Sequence, residues 1–192
     1  MAKANVKEQI LTTSVQLLHS KGFNATSVQD ITDAAGVPKG SFYNHFASKE
    51  ALGLEVVQRY IDGVGQVAAV LEDRTLRPTQ RLQQFYDRMI ASNTANDYHF
   101  GCMLGNFSTE LSNQIPAMRT AMRDAFGGST NLLAAVIAEG QQDGSIGADV
   151  PATDLAGFLN DAWQGAVVRA KAEQSRAPLE RFVRVALGRL LR

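Results

Sequence analysis

An all-α fold of about nine helices is predicted by three features of this sequence. Apolar residues recur at helical spacing along most of its 192 residues. The alternating Val/Ile/Thr runs that mark sheets are absent. Pro78, Pro116, Pro151 and Pro178 each follow a polar or glycine-containing joint. There a proline opens a helix, because the N–H it lacks has no partner in a first turn.

The first helix is predicted from about Ala4 to Ser20. Val6, Ile10, Leu11, Val15, Leu17 and Leu18 form its apolar stripe, and Gly22 stops it. Thr26 or Ser27 caps a short second helix carrying Val28, Ile31 and Ala35, which Gly36 ends. Pro38 suits the first turn of a third helix, where Phe42 and Phe46 stand four apart on one face. Ser48 caps a fourth helix that continues to about Leu71, with Glu50 and Glu55 near its start. Gly63 and Gly65 weaken its middle. The fifth helix runs from Pro78 through Leu82, Phe85, Met89 and Ile90, and breaks between Asn93 and His99. A sixth is expected over Cys102–Asn113, a seventh from Pro116 to near Gly140 and Gly144, and an eighth from Pro151 to about Glu173. The last runs from Pro178 to the C-terminus. The sum is a small three-helix head followed by a larger helical body.

A hydrophobic content of 45% can build a sizeable core. One cysteine excludes an intrachain disulfide and any zinc site made of several thiolates. Single-cysteine usage fits a reducing compartment. Met1–Lys7 is polar and unlike a signal peptide. No run is long and apolar enough to cross a bilayer. A cytoplasmic protein without membrane attachment is expected. The formal net charge of zero does not point to a nucleic-acid ligand, but the charges are unevenly spread. Residues 1–61 are nearly balanced, 93–161 are acidic and 162–192 are basic. The basic tail is as able to face the acidic middle as to face DNA, so local pattern has to decide.

That pattern lies between Thr26 and Phe46, which reads as helix, glycine turn, helix. Val28, Ile31, Val37, Phe42 and Phe46 pack with the first helix. Lys39, Ser41, Tyr43, Asn44 and His45 are left outside, with donors and acceptors suited to phosphates and base edges. Asp33 and Glu50 bracket a stretch with two lysines and no acidic side chain, as a helix entering a major groove requires. Helical hairpins with a glycine turn also occur in proteins that bind no DNA.

The residues from Ile10 to about Val56 also resemble a known family. Gly22-Phe23, Thr26-Ser27-Val28, Ile31, Ala34-Ala35-Gly36-Val37, the run Lys39–Phe46 and Ser48-Lys49-Glu50-Ala51-Leu52 are similar to the head of TetR/AcrR regulators. The resemblance implies a homodimer whose paired recognition helices read a palindromic operator in double-stranded DNA. It implies a DNA-binding domain over residues 1–47 and an effector-binding and dimerisation domain over 48–192. Lys39, Tyr43 and Lys49 then correspond to phosphate contacts. Ser41 and Asn44 correspond to groove-facing readers, with His45 in either set. Thr26 or Ser27 offers a hydroxyl or a helix N-terminus to phosphate. Pro38 stands where many relatives carry Ser or Thr.

In the body, Leu179, Val183, Ala186 and Leu190 recur at heptad-like spacing, widened by Phe182, Leu187 and Leu191. Ala162, Gly165 and Ala166 permit close approach on the eighth helix, with Trp163 as an anchor. These stripes form either a dimer seam or the closure of the monomer core. The resemblance implies the seam, two helices from each chain. Helices four to eight are expected to enclose an apolar effector among Phe85, Met89, Cys102, Met103, Phe107, Met118, Met122, Phe126 and Trp163. The same residues equally suit an ordinary core. The segment Gly101-Cys102-Met103-Leu104-Gly105-Asn106 is similar to a Gly-Cys-x-x-Gly-Asn segment of the NemR-like branch, which senses electrophiles. That likeness implies a reactive thiol at Cys102, with Lys171 as its helper. A thiol at a helix start is favoured as thiolate by the helix dipole.

Taken together, these features predict a ligand-responsive repressor with no cofactor, no metal and no catalytic residues. Two other classes are distinguishable. An enzyme would need machinery not found here: there is no Gly-rich phosphate loop, no His-Glu-x-x-His and no Gly-x-Ser-x-Gly. A helical protein-interaction module would keep the head without selecting any duplex.

Overall fold

The computed structural model describes residues 5–191, all helix, turn and loop, with no strand among them. The helices are α1 (Val6–Lys21), α2 (Val28–Ala34), α3 (Lys39–Tyr43), α4 (Lys49–Ala68), α5 (Pro78–Thr94), α6 (Met103–Leu111), α7 (Pro116–Gln142), α8 (Ala152–Glu173) and α9 (Ala177–Val185). A 3₁₀ turn, Ala69–Glu72, extends α4, and a π turn, Ala186–Leu190, extends α9. The expected nine-helix order is therefore present. Ala4, placed at the start of the first helix, and Arg192, at the end of the last, lie outside the described residues.

The helix ends have local causes. The Asn5 side chain accepts from the Glu8 N–H at 3.4 Å, and the Gly22 N–H closes on Leu18 with φ at 87°. The Ser48 hydroxyl accepts from the Ala51 N–H at 3.1 Å and starts α4. Gly36, at φ 65°, makes the bend between α2 and α3 in a conformation that costs glycine little.

The chain divides into two compact units, Met1–Gly63 with Met103–Arg123, and Val64–Cys102 with Asp124–Arg192. The boundaries fall inside α4 and α7 and just before α6. In the first unit Ile10 and Leu18 of α1, Ile31, Phe42, Phe46, Val56 of α4 and Phe107 of α6 share one buried core. α4 comes close to Phe23 at Gly53, where an added Cβ would lie 2.7 Å from the Phe23 ring and 2.5 Å from Met118 Cε. Lys7–Glu55 at 2.8 Å and the bidentate Glu8–Arg59 pair, at 2.7 and 2.8 Å, join α1 to α4 on the surface. Both pairs are exposed, where solvent screens them and they add little to stability.

The second unit is built around Tyr86, whose ring packs on Phe85, Trp163 and Phe182 with centroids 4.9–5.2 Å apart. Arg81 is also buried there. It donates to the Leu71 carbonyl at 2.9 Å and to Glu139, which Arg74 also reaches at 2.9 Å. The Arg81 guanidinium holds the Glu139 carboxyl below the usual carboxylate range, with Arg74 adding to the effect.

The apolar stripes of the last helices divide differently from their sequence reading. Leu179, Phe182, Ala186, Leu191, Trp163 and Val167 are buried in the chain's own core, and Val183 and Leu187 pack against it. The groove that remains open between α8 and α9 carries Phe158, Val185 and Leu190, each at least 44% exposed. The π turn accounts for the end of this pattern. The Leu191 N–H closes on the Ala186 carbonyl, so residues five apart share the inward face and Leu190 turns outward.

Candidate functional site

The head derives its shape from a short chain of side-chain tethers. Ser27 begins α2 with a capping box: its Oγ accepts from the Asp30 N–H at 3.1 Å, and Asp30 accepts from the Ser27 N–H at 2.7 Å. The Ser27 hydroxyl also donates to Asp30 at 2.6 Å, and this bond holds the Asp30 carboxyl below the usual carboxylate range. Past α2, the Gly36 and Val37 amides close on Asp33 and Thr32 at 3.1 and 3.0 Å. The Gln9 side chain of α1 donates to the Ala35 carbonyl at 2.6 Å and fixes the bend from the other side. Phe42 and Phe46, both buried, stack 5.4 Å apart and anchor α3 to the core.

This anchoring decides which polar residues face out. Lys39, Tyr43, Asn44 and His45 are exposed, with Tyr43 at 57%, and Ser41 is half-buried. Asn44 caps the C-terminus of α3, and His45 follows it in the turn that closes on Phe42. Two predicted contacts point elsewhere. Thr26 is buried and its hydroxyl donates to the Gly22 carbonyl at 2.7 Å, so of the pair Thr26/Ser27 it is Ser27 that lies at the surface. Lys49 turns its ammonium inward, donating to the Phe23 and Thr26 carbonyls at 3.1 and 3.0 Å, 4.4 Å from the centre of the Phe23 ring.

The residues expected around an effector fall into the two separate cores. Met103, Phe107, Met118 and Met122 belong to the first unit. Phe85 and Trp163 belong to the second, with Met89 and Cys102 packed against it and Phe126 half-buried on α7. Lys171 reaches the Cys102 segment: its Nζ donates to the Phe100 carbonyl at 3.3 Å, two residues before the cysteine. That segment holds unusual backbone, with Asp97 and Tyr98 at φ 50° and 62° and Gly101 at 70°. Sequence reading missed Tyr86, whose hydroxyl is buried and unpartnered among the described residues and whose pKa is driven upward by burial. A tyrosine flanked by Gln83, Gln84, Asp87 and Arg88 carries no mark of such a position. Sequence reading also missed Glu110 of α6, which accepts from the Phe23 and Asn24 amides at 3.0 and 2.5 Å. Its partners lie 87 and 86 positions earlier in the chain. No three metal-ligating side chains cluster among the described residues.

A glycine-bent pair of short helices with an exposed, acid-free edge, together with a larger helical unit, has the architecture of a helix-turn-helix regulator. Comparison with known proteins narrows this. Residues 10–56 match the model for bacterial regulatory proteins of the tetR family, and residues 78–186 match that for the tetracyclin repressor-like C-terminal domain. The HTH-type transcriptional repressor DhaR of Mycobacterium sp. (strain GP1) is 39% identical over 100% of this chain and 95% of its own length. The HTH-type transcriptional repressor NemR of Escherichia coli K12 is 28% identical over 92% of this chain and 89% of its own. The crystal structure of E. coli NemR in its reduced form superposes with a TM-score of 0.82 at 29% identity, covering 97% of this chain and 95% of that one. A regulatory protein TetR from Rhodobacter sphaeroides superposes with a TM-score of 0.89 at 28% identity, covering 94% and 96%. The chain belongs to the TetR family. It is a DNA-binding transcription regulator and not an enzyme.

The capping box yields a pH-dependent prediction. Ser27→Ala removes the α2 cap and lowers stability by about 1 kcal/mol at neutral pH. Asp30 has a depressed pKa in the folded head, so its contribution is present above the ordinary carboxylate range and is lost as pH falls through the depressed value. Urea melts of wild type and Ser27→Ala should therefore differ at pH 7, and the difference should shrink as pH falls below the ordinary carboxylate range, leaving the part carried by the Asp30 N–H bond to Ser27 Oγ. A difference that persists unchanged at pH 3 would show that Asp30 is not part of the cap.

Proposed function

We propose that this regulator is a repressor that binds a palindromic operator as a homodimer and is released by a small-molecule effector, an electrophile acting at Cys102. The observation that carries the DNA reading is the exposed edge Lys39–His45, free of acidic side chains and anchored by Phe42 and Phe46. Lys39, Tyr43 and Ser27 take phosphates, and Ser41, Asn44 and His45 face the groove. The repressor reading also draws on DhaR and NemR, both named as repressors.

The dimer forms through the last two helices, along the open face that carries Phe158, Val185 and Leu190. A groove of about 290 Å³ runs along that face between Phe158, Ala162 and Arg169 of α8 and Arg181, Val185 and Leu190 of α9 and the π turn. An exposed apolar strip of this kind is what a helical seam would cover.

For the effector, Phe85, Met89, Cys102 and Trp163 supply apolar surface in the second unit, and the unpartnered Tyr86 hydroxyl supplies a single polar handle. The segment Gly101–Asn106 and the solved reduced form of NemR support chemistry at Cys102. In that chemistry the Cys102 sulfur bonds to the electrophilic carbon of an activated alkene. The alkene electron pair moves to the neighbouring carbon, which takes up a proton equivalent to the one the thiol loses. The Lys171 ammonium, held at the Phe100 carbonyl two residues before Cys102, stands on the same segment. The adduct displaces the body helices and α4, and the two heads then lose their match to successive major grooves.

Three measurements test this reading. Selection from a random duplex pool should enrich one palindrome. On it, Lys39→Ala should weaken selected and scrambled duplexes alike and lower the salt slope by about 1. Asn44→Ala should instead lose about 1–3 kcal/mol of discrimination; wild-type discrimination would remove Asn44 from the readers. Val185→Glu, on the open face, should give a folded monomer in sedimentation. A persistent Val185→Glu dimer would place the seam elsewhere. Cys102 should be alkylated faster in native than in urea-unfolded protein at matched pH, and the adduct should lose operator affinity. Cys102→Ser should bind DNA without that response. Slow native labelling, or complete labelling with unchanged affinity, would overturn the electrophile reading while leaving the repressor intact.

A further inference from the structure

The turn between α1 and α2 is gripped from two sides by groups distant in sequence, and we propose that Glu110 of α6 is a positioning residue for DNA recognition. Its two carboxylate oxygens accept from two successive amides of the turn, Phe23 N–H at 3.0 Å and Asn24 N–H at 2.5 Å. From the opposite charge, Lys49 of α4 donates to the Phe23 and Thr26 carbonyls. Within the turn the Thr26 N–H closes on the Phe23 carbonyl and the Thr26 hydroxyl on the Gly22 carbonyl, and one anion and one cation from other helices complete the set.

Independent features point the same way. Gly22 adopts φ 87°, and a Cβ there would stand 3.2 Å from Glu110 Oε2, so the backbone at this point is shaped to admit the carboxylate. One turn before Glu110 on the same face of α6, Phe107 packs edge-on against Phe23 with centroids 6.1 Å apart. α6 therefore meets the turn with an apolar and a charged contact together. Three residues past Asn24, Ser27 opens α2, and α2 in turn sets the bend that aims α3.

A displaced α6 would take the carboxylate away from both amides. They would then be left to water, and the entry of α2 would be released from its fixed register. Glu110 touches no DNA in this scheme; it acts through the turn. The proposal rests on the head being the DNA-binding surface and adds the element that holds it in reading position.

Glu110→Gln is the discriminating variant. It preserves size but has one carbonyl oxygen, and it sets an amino group against one of the two donors. Amide hydrogen exchange in the intact protein should accelerate at least tenfold at Phe23 and Asn24, while amides in the middle of α8 keep their protection. Affinity for the palindrome selected by the wild type should fall about tenfold, the scale of a lost charged hydrogen bond. Cooperative thermal unfolding should persist. Unchanged exchange at Phe23 and Asn24 overturns the contact. Accelerated exchange with unchanged operator affinity overturns the positioning role. If Glu110→Gln does not fold, Glu110→Asp retains the charge on a side chain one methylene shorter, and the same two readouts apply to it. Failure of the wild type to enrich any duplex would count against the DNA reading itself and leaves the exchange result as the test of the contact.

Discussion

A helix of five residues does not hold itself together in water, and α3 has five residues. Its conformation is maintained by burying Phe42 and Phe46, which together form one wall of the head core. With those rings fixed, Tyr43 turns away from the core, and Lys39 at the first position of α3 and Asn44 at its C-cap lie at the exposed ends of the helix. The DNA-facing edge is therefore a by-product of packing. The apolar side chains determine the orientation, and the polar ones are displayed by default. Gly36 contributes the bend, and the hydrogen bond from Gln9 to Ala35 keeps that bend registered to α1.

The head is also more than three helices. α6 and the start of α7 belong to its compact unit, as do the first turns of α4. The segments that join the two units are α4, α7 and the bond from Cys102 to Met103. A change in the second unit has only these covalent routes into the first. The positive-φ backbone at Asp97 and Tyr98 lies a few residues before one of them.

In the second unit buried polar atoms oppose the packing. Tyr86 buries a hydroxyl with no partner among the described residues, and Arg81 buries a guanidinium whose Nε is likewise unpartnered. Each omission costs on the order of 1–3 kcal/mol. Aromatic packing of Tyr86 on Phe85, Trp163 and Phe182 offsets the first, and Glu139 with the Leu71 carbonyl offsets the second. A core optimised only for stability would carry phenylalanine at position 86. The retained hydroxyl is the feature of this core that packing does not explain.

Helix order and the head were legible in the sequence because they depend on neighbours in the chain. Proline starts, glycine stops, the Ser27 and Ser48 caps and the spacing of Phe42 and Phe46 all act within one or two turns. The division of the apolar stripes on α8 and α9 was not. Leu179, Val183 and Ala186 have the spacing of a seam, yet they close the monomer, and Phe158 and Val185 remain outside. Periodicity gives the existence of an apolar face, but a helix with two apolar flanks needs its partner's position to say which one turns inward. The π turn, which moves Leu190 out and Leu191 in, has no local signature at all. Lys49 and Glu110 show the same limit for polar groups. Their charges are visible in the sequence, but whether a charge faces solvent or a backbone amide 86 residues away is decided by chain packing, since a hydrogen bond has a range of about 3 Å and no memory of sequence distance.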